Sequence, residues 1–175
     1  MKKGISIFLC LLLSLVMLVG CGNADEYNQK LYDYYAEQLI LSEDYIEGMN
    51  SYIDLLESLQ KGGLNHYEVA SSAGRIDNNL NLINEVLDDV NENFMQIKNP
   101  PSQCKEGFEI AQRVYDALNQ MYTLQEVSIE DSEADSEKMQ SYITAAQEYY
   151  ANYLEALVEL GDYFEEIGFE PSKAD

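Results

Sequence analysis

The chain has 175 residues, 46% of them hydrophobic, and its 32 acidic residues against 10 basic ones set a formal net charge of -22. That length and apolar share suffice for one domain with a core and argue against disorder. The charge repels nucleic-acid phosphates and anionic lipid headgroups, which disfavours DNA or RNA binding and flat adsorption to a bilayer, and leaves cations and basic partners as the compatible ones.

The first segment has the layout of a secretory signal. Lys2 and Lys3 precede an apolar run over residues 5–19 that is too short for a stable membrane span, and the small Gly20 then stands before Cys21. Leu18-Val19-Gly20-Cys21 resembles the lipobox of Gram-positive bacterial lipoproteins. The resemblance implies that the Cys21 thiol is diacylglycerated and that residues 1–20 are cut away between Gly20 and Cys21. Residues 21–24 then form the lipidated N-terminus of a head held at the extracytoplasmic face of the cell membrane. Each buried methylene contributes about 0.8 kcal/mol, so two acyl chains hold a soluble head durably where one would be marginal. Removing the signal takes Lys2 and Lys3 but no acidic residue, so the head is more acidic still. It also takes Cys10, and with Cys21 acylated only Cys104 is left, so no intramolecular disulfide is available to brace the core.

The mature part reads as helical throughout. Over residues 25–60, Tyr27, Leu31, Tyr34, Leu41, Tyr45, Met49, Tyr52, Leu56 and Leu59 recur at three- and four-residue steps, with a polar interruption at Gln38. Gly62-Gly63 supplies the left-handed conformation that ends this helix. A second helix is expected over about 66–98, opened by the capping pair Asn65 and Glu68 and carrying a seam from Val69 through Leu87, Val90 and Phe94 to Ile97. Pro100-Pro101 breaks it. Ser102 is the expected cap of a third helix, about 102–128, with a seam of Cys104, Phe108, Ala111, Tyr115, Leu118, Tyr122 and Ile129 and a polar slot at Gln125. A fourth, about 136–167, follows an acidic connecting loop and carries Met139, Ile143, Ala146, Tyr150, Tyr153, Leu157, Leu160, Phe164 and Ile167. Gly168 and Pro171 stop it, and residues 170–175 form a tail. Four long helices on short turns pack most simply as an all-α, up-down-up-down antiparallel four-helix bundle over residues 25–169.

Several residues are candidates for chemistry. His66 is the sole histidine, and there is no Glu-x-x-His repeat from which a bundle builds a metal pair, so no cofactor is expected. Asp131, Glu133, Asp135 and Glu137 alternate like the opening of a calcium loop, but Ser136 and Tyr142 stand where glycine and glutamate are required, which leaves at most weak cation contact. Ser102-Gln103-Cys104-Lys105 matches a Ser-x-x-Lys nucleophile pattern without its companion elements, and helix capping explains Ser102 better. Cys104 lies where a helix dipole lowers a thiol pKa, yet it also starts an apolar seam, which favours buried packing. The 14 tyrosines and absent tryptophan suit seam edges that bury a ring while the hydroxyl reaches water, with a tyrosine-lined cleft as the alternative.

The run Asn99-Pro100-Pro101, the helix that follows it and the Ser141-Tyr142 region are similar to uncharacterised helical lipoproteins, a resemblance that implies a fold without an activity. The expectation is therefore a non-enzymatic cell-envelope lipoprotein, an acidic helical binding or structural module. It contacts the membrane through its lipid anchor and suits a basic or cell-envelope protein partner. The alternative expectation is a small-ligand-sensing or solute-binding accessory lipoprotein with a tyrosine-lined cleft.

Overall fold

A computed structural model of the chain describes the backbone of residues 2–62, 71–72, 74, 85–130 and 136–172, and the side chains of residues 24–62, 71–72, 74, 85–125 and 137–172. Among the described residues there is no strand, and four helices pack together. They are α1 (Lys2–Gln60), α2 (helical at residues 71–72, 74 and 85–96), α3 (Lys105–Glu130) and α4 (Ser136–Glu166). A short 3-10 turn, Ser102–Cys104, leads into α3.

Helix α1 begins at Lys2, well before the start near residue 25 that the amphipathic pattern sets, because the leucine-rich segment ahead of it is itself a good helix former. It stops where the sequence predicts. The Gly62 N–H bonds the Leu59 carbonyl, and Gly62 takes φ +66°, a conformation that costs glycine nothing. Its inward face is the expected one, with Leu31, Tyr34, Tyr45, Met49, Tyr52 and Leu56 buried, while Leu41 and Leu59 sit half-buried at the edge. The polar interruption at Gln38 does not turn outward: it is completely buried.

The described part of α2 buries Leu87, Val90, Phe94 and Ile97 at the three- and four-residue spacing that its sequence shows. Its helical hydrogen bonding ends at residue 96, and Asn99, with φ +56°, turns the chain into Pro100-Pro101. Asparagine tolerates the left-handed region better than most residues, which suits this position. The capping pair Asn65 and Glu68 and the seam from Val69 to Ile83 lie outside the described residues.

Two expectations for α3 are corrected. Ser102 does not cap it: no side-chain cap bond is made, and the Ser102 hydroxyl donates instead to Gln103 Oε1 at 3.3 Å. The tight entry turn is closed by backbone, with the Cys104 N–H donating to the Pro101 carbonyl at 2.9 Å. The buried stripe is also rotated. Cys104, Ala111 and Leu118 are buried as expected and Val114, Ala117 and Met121 join them, while Phe108 and Tyr115 are half-buried and Tyr122 is 41% exposed. The cause is close approach of α4, whose Tyr163 ring occupies the space beside Gly107. The helix also persists to Glu130, past the expected end near residue 128.

Helix α4 buries its seam from Met139 to Phe164, with Tyr150 half-buried, but Ile167 is 44% exposed because the helix has already ended. Gly168 at φ +62° reverses the chain, the Phe169 N–H reaches the Phe164 carbonyl, and the Phe169 ring returns against Tyr32 and Phe164. Beyond it, the Ser172 N–H and hydroxyl both donate to Gln29 Oε1, at 2.8 and 2.9 Å. At the other end of α1, Gln60 donates to Gln140 of α4 at 2.7 Å. Among the described residues no helix is long and apolar enough to cross a membrane.

Candidate functional site

The centre of the molecule is more polar than its seams suggest. Gln38 on α1 accepts from the Tyr153 hydroxyl of α4 at 3.4 Å, while its own Nε2 has no partner. One turn away, the Tyr34 hydroxyl is buried and also lacks a proper hydrogen bond, although Gln38 lies near enough to offset a little of the upward push that burial gives its pKa. A second pair of contacts links α1 to α3 reciprocally: the Tyr45 hydroxyl points at Met121 Sδ at 3.6 Å, and Gln125 Nε2 at Met49 Sδ at 2.9 Å. Thioether sulfur is a weak acceptor, so these two contacts are weak ones. Burial raises the Tyr45 and Tyr153 pKa values as well, with each phenol's tyrosine neighbour adding to the effect. Tyrosine is therefore used here as core filling, hydroxyl included, and not only at seam edges.

Against this layer lies a cleft of about 410 Å³ between α1 and α2. Its apolar floor is Tyr34, Phe94 and Ile97, all buried, with the Tyr34 and Phe94 rings 4.7 Å apart between centroids. Lys30, Asp33 and Glu37 contribute from successive turns of α1, and Asn93 and Gln96 face them from α2. Lys30 is held by Glu26 at 3.0 Å, and Asp33 accepts from Gln29 at 2.7 Å. The Glu37 carboxyl is pushed above the usual carboxylate range, first by partial burial and then by the neighbouring Asp33 charge. The volume lies within the range of small-ligand sites, but five of the eight lining residues are polar or charged and the three apolar ones are buried.

A wider, shallower cleft of about 730 Å³ lies where α1 near residues 24–29 meets the returning tail, with Asp25, Gln29, Gln103 and Phe169 on its walls. Close by, Cys104 is fully buried and its Sγ donates to the Ala24 carbonyl at 3.6 Å. Burial raises its thiol pKa and the Asp25 charge adds to the rise, so the depression expected from the helix dipole is overcome.

Most of the residues singled out from sequence lie outside the described side chains. Gly20 and Cys21 lie on α1 with side chains outside the described residues, and His66, Asp131, Glu133 and Asp135 lie outside them altogether. Glu137 is exposed in the first turn of α4. Ser102 is exposed with no base beside it, and Lys105 bonds Glu109 at 3.3 Å, so the Ser-x-x-Lys spacing does not assemble a nucleophile pair. Among the described residues no group of His, Cys, Asp and Glu side chains could hold a metal ion. The cleft residues Lys30, Asp33, Glu37, Asn93 and Gln96 went unremarked in the sequence. Their signal was a polar flank directly beside the apolar seam on both helices, and periodicity alone does not say which flanks meet.

No protein-family model, curated protein or solved structure matches the chain.

Proposed function

We propose that the chain is a cell-envelope lipoprotein: a non-enzymatic, acidic helical head, tethered at the extracytoplasmic face by diacylglycerol on Cys21 and acting as a binding or structural module. The observation that carries this reading is the coincidence of Lys2-Lys3, the apolar run over residues 5–19 and Leu18-Val19-Gly20-Cys21 within the first part of the chain. The proposed topology is an up-down-up-down antiparallel bundle. Its support is the pairing of Gln29 with Ser172 and of Ala24 with Cys104 near one end of the head, against Gln60 with Gln140 at the other. In that arrangement the Pro100-Pro101 turn and the tail face the membrane, and the Gly62 turn stands away from it. The excess of carboxylates favours a basic or cell-envelope protein partner. Metabolic labelling with palmitate tests the reading. The parent chain should be labelled and membrane-bound, and Cys21→Ser should lose both properties; a Cys21→Ser chain processed and retained like the parent would contradict it.

A second reading, a small-ligand-sensing or solute-binding accessory, is favoured by the cleft beside Tyr34 and Phe94. Ligand-dependent thermal stabilisation separates the two, because a molecule held in the cleft raises the melting point by mass action whereas a surface protein partner is found by cross-linking.

A further inference from the structure

We infer that the groove between α1 and α4 that holds the chain's own tail is a docking site for an extended basic segment of a partner protein, with an aromatic residue in the place of Phe169 and a lysine in the place of Glu170. The inference rests on the binding-module reading above and names the chemistry of its partner. The tail shows what the groove accepts. Gly168, at φ +62°, turns residues 169–172 back along the bundle, and beyond the Phe169 N–H two anchors hold them. The Phe169 ring packs against Tyr32 of α1 and Phe164 of α4, with centroids 5.8 and 5.6 Å apart. Three residues on, the Ser172 N–H and hydroxyl both donate to Gln29 Oε1. Gln29 is oriented for this, because its Nε2 donates to Asp33 at 2.7 Å and leaves the oxygen to the tail.

Between the anchors, Glu170 and Pro171 are exposed and make no hydrogen bond among the described residues. The tail is thus an extended ligand on a short tether, fixed by one ring and one donor residue, and a segment held by so few contacts opens locally while the bundle stays folded. Its charge has the wrong sign for its place. Glu170 shares a cleft with Asp25 and Glu26, of which only Glu26 is paired with a cation, Lys30. A lysine there would meet opposite charge where Glu170 meets like charge, and the chain's net charge of -22 draws a basic segment to the head. The tail therefore holds the groove through its tether, and a basic segment with the same aromatic anchor is the better complement.

The test uses the full chain, extracted from membranes in an uncharged detergent, and three synthetic peptides blocked at both ends: Gly-Phe-Lys-Pro-Ser, Gly-Phe-Glu-Pro-Ser and Gly-Ala-Lys-Pro-Ser. The readout is the NMR signal of the Gln29 side-chain amide during titration. Phe169→Ala frees the groove, so this variant should bind the Phe-Lys peptide about tenfold more tightly than the parent, whose tail competes. To the same variant the Phe-Glu peptide should bind about fivefold more weakly, and the Ala-Lys peptide should leave the signal unmoved. A second measurement keeps the tail's aromatic anchor in place. Glu170→Lys should raise the hydrogen-exchange protection of the Ser172 N–H about fivefold, while Glu148→Lys, the same charge change at an exposed site of α4 outside the cleft, should leave it alone. Equal binding of the Phe-Glu peptide, or protection raised as much by Glu148→Lys, would overturn the basic partner. Equal affinity of parent and Phe169→Ala would overturn the groove itself. Parent dimers that grow with concentration and vanish in Phe169→Ala would overturn the inference in favour of tail exchange between copies. Each of these failures leaves the lipid anchor standing, because that reading is decided separately by palmitate labelling of Cys21→Ser.

Discussion

The Tyr163 ring of α4 fills the space that a side chain at Gly107 of α3 would need, and the same tyrosine donates its hydroxyl to Asn28 of α1 at 3.0 Å. One residue thus ties α1, α3 and α4 together at the level of Asn28. The Gly107→Ala methyl would overlap the ring, and overpacking of this kind costs about 1–3 kcal/mol, more than the roughly 1 kcal/mol that alanine gains over glycine in a helix. Gly74, with nothing within 4 Å of its Cβ position, is the control. Thermal unfolding should show Gly107→Ala melting lower than the parent and Gly74→Ala at or above it.

The buried amide of Gln38 leaves Nε2 unpaired while it accepts from Tyr153. Gln38→Met alone would strand the Tyr153 hydroxyl and is expected to cost about 1–3 kcal/mol, the price of an unsatisfied buried polar group. Adding Tyr153→Phe removes that penalty, so the double variant should return to within about 1 kcal/mol of the parent or exceed it. A urea double-mutant cycle measures this coupling; additive losses would show that the contact carries no shared energy.

The same residues mark how far the fold could be read in advance. Helix number, the Gly62 stop, the Pro100 break and the α4 seam were all legible, because apolar spacing and backbone chemistry are local properties. The rotation of the α3 stripe was not, since Phe108, Tyr115 and Tyr122 look like better core residues than Gly107, Val114 and Ala117 until Tyr163 is seen to need the room. Gln38 and Gln125 looked like flaws in two seams, but each finds a contact on another helix, Tyr153 or Met49. Ser102 is of a capping residue type yet makes no cap, because proline fixes the preceding turn. The cleft was hidden for the corresponding reason: its walls come from residues far apart in the chain.

Cys104 should behave as an inert core thiol. It is fully buried, its Sγ–H points at the Ala24 carbonyl, and burial with the nearby Asp25 charge raises its pKa. A thiol reagent such as DTNB should react slowly with the native chain, and the rate should rise only as urea unfolds it. Fast reaction at neutral pH in the native state would show that the start of α3 opens independently of the rest.

Alkali should unfold the head through its tyrosines. Burial, helped by the proximity of Cys104, pushes the Tyr27 and Tyr163 phenols up to about 12, and burial raises Tyr34, Tyr45 and Tyr153 as well. The unfolded chain ionises its tyrosines near pH 10, roughly the model-peptide value. Below that pH both states keep the protons and the stabilisation is intact; above it the unfolded state loses protons that the folded state retains, so stability falls as pH rises through the folded values. Urea midpoints should be flat toward pH 10 and decline beyond it, together with delayed appearance of tyrosinate absorbance. A midpoint unchanged well above that pH would mean that the phenols are not buried as described.

Attachment of an acidic helical head to a membrane by lipid on one residue is decided by the mass of the N-terminal peptide of the chain isolated from cell membranes. The expected species begins at Cys21 and carries a diacylglycerol increment, with residues 1–20 gone. A peptide that still contains Met1 to Gly20, or one that begins at Cys21 without lipid, would contradict it.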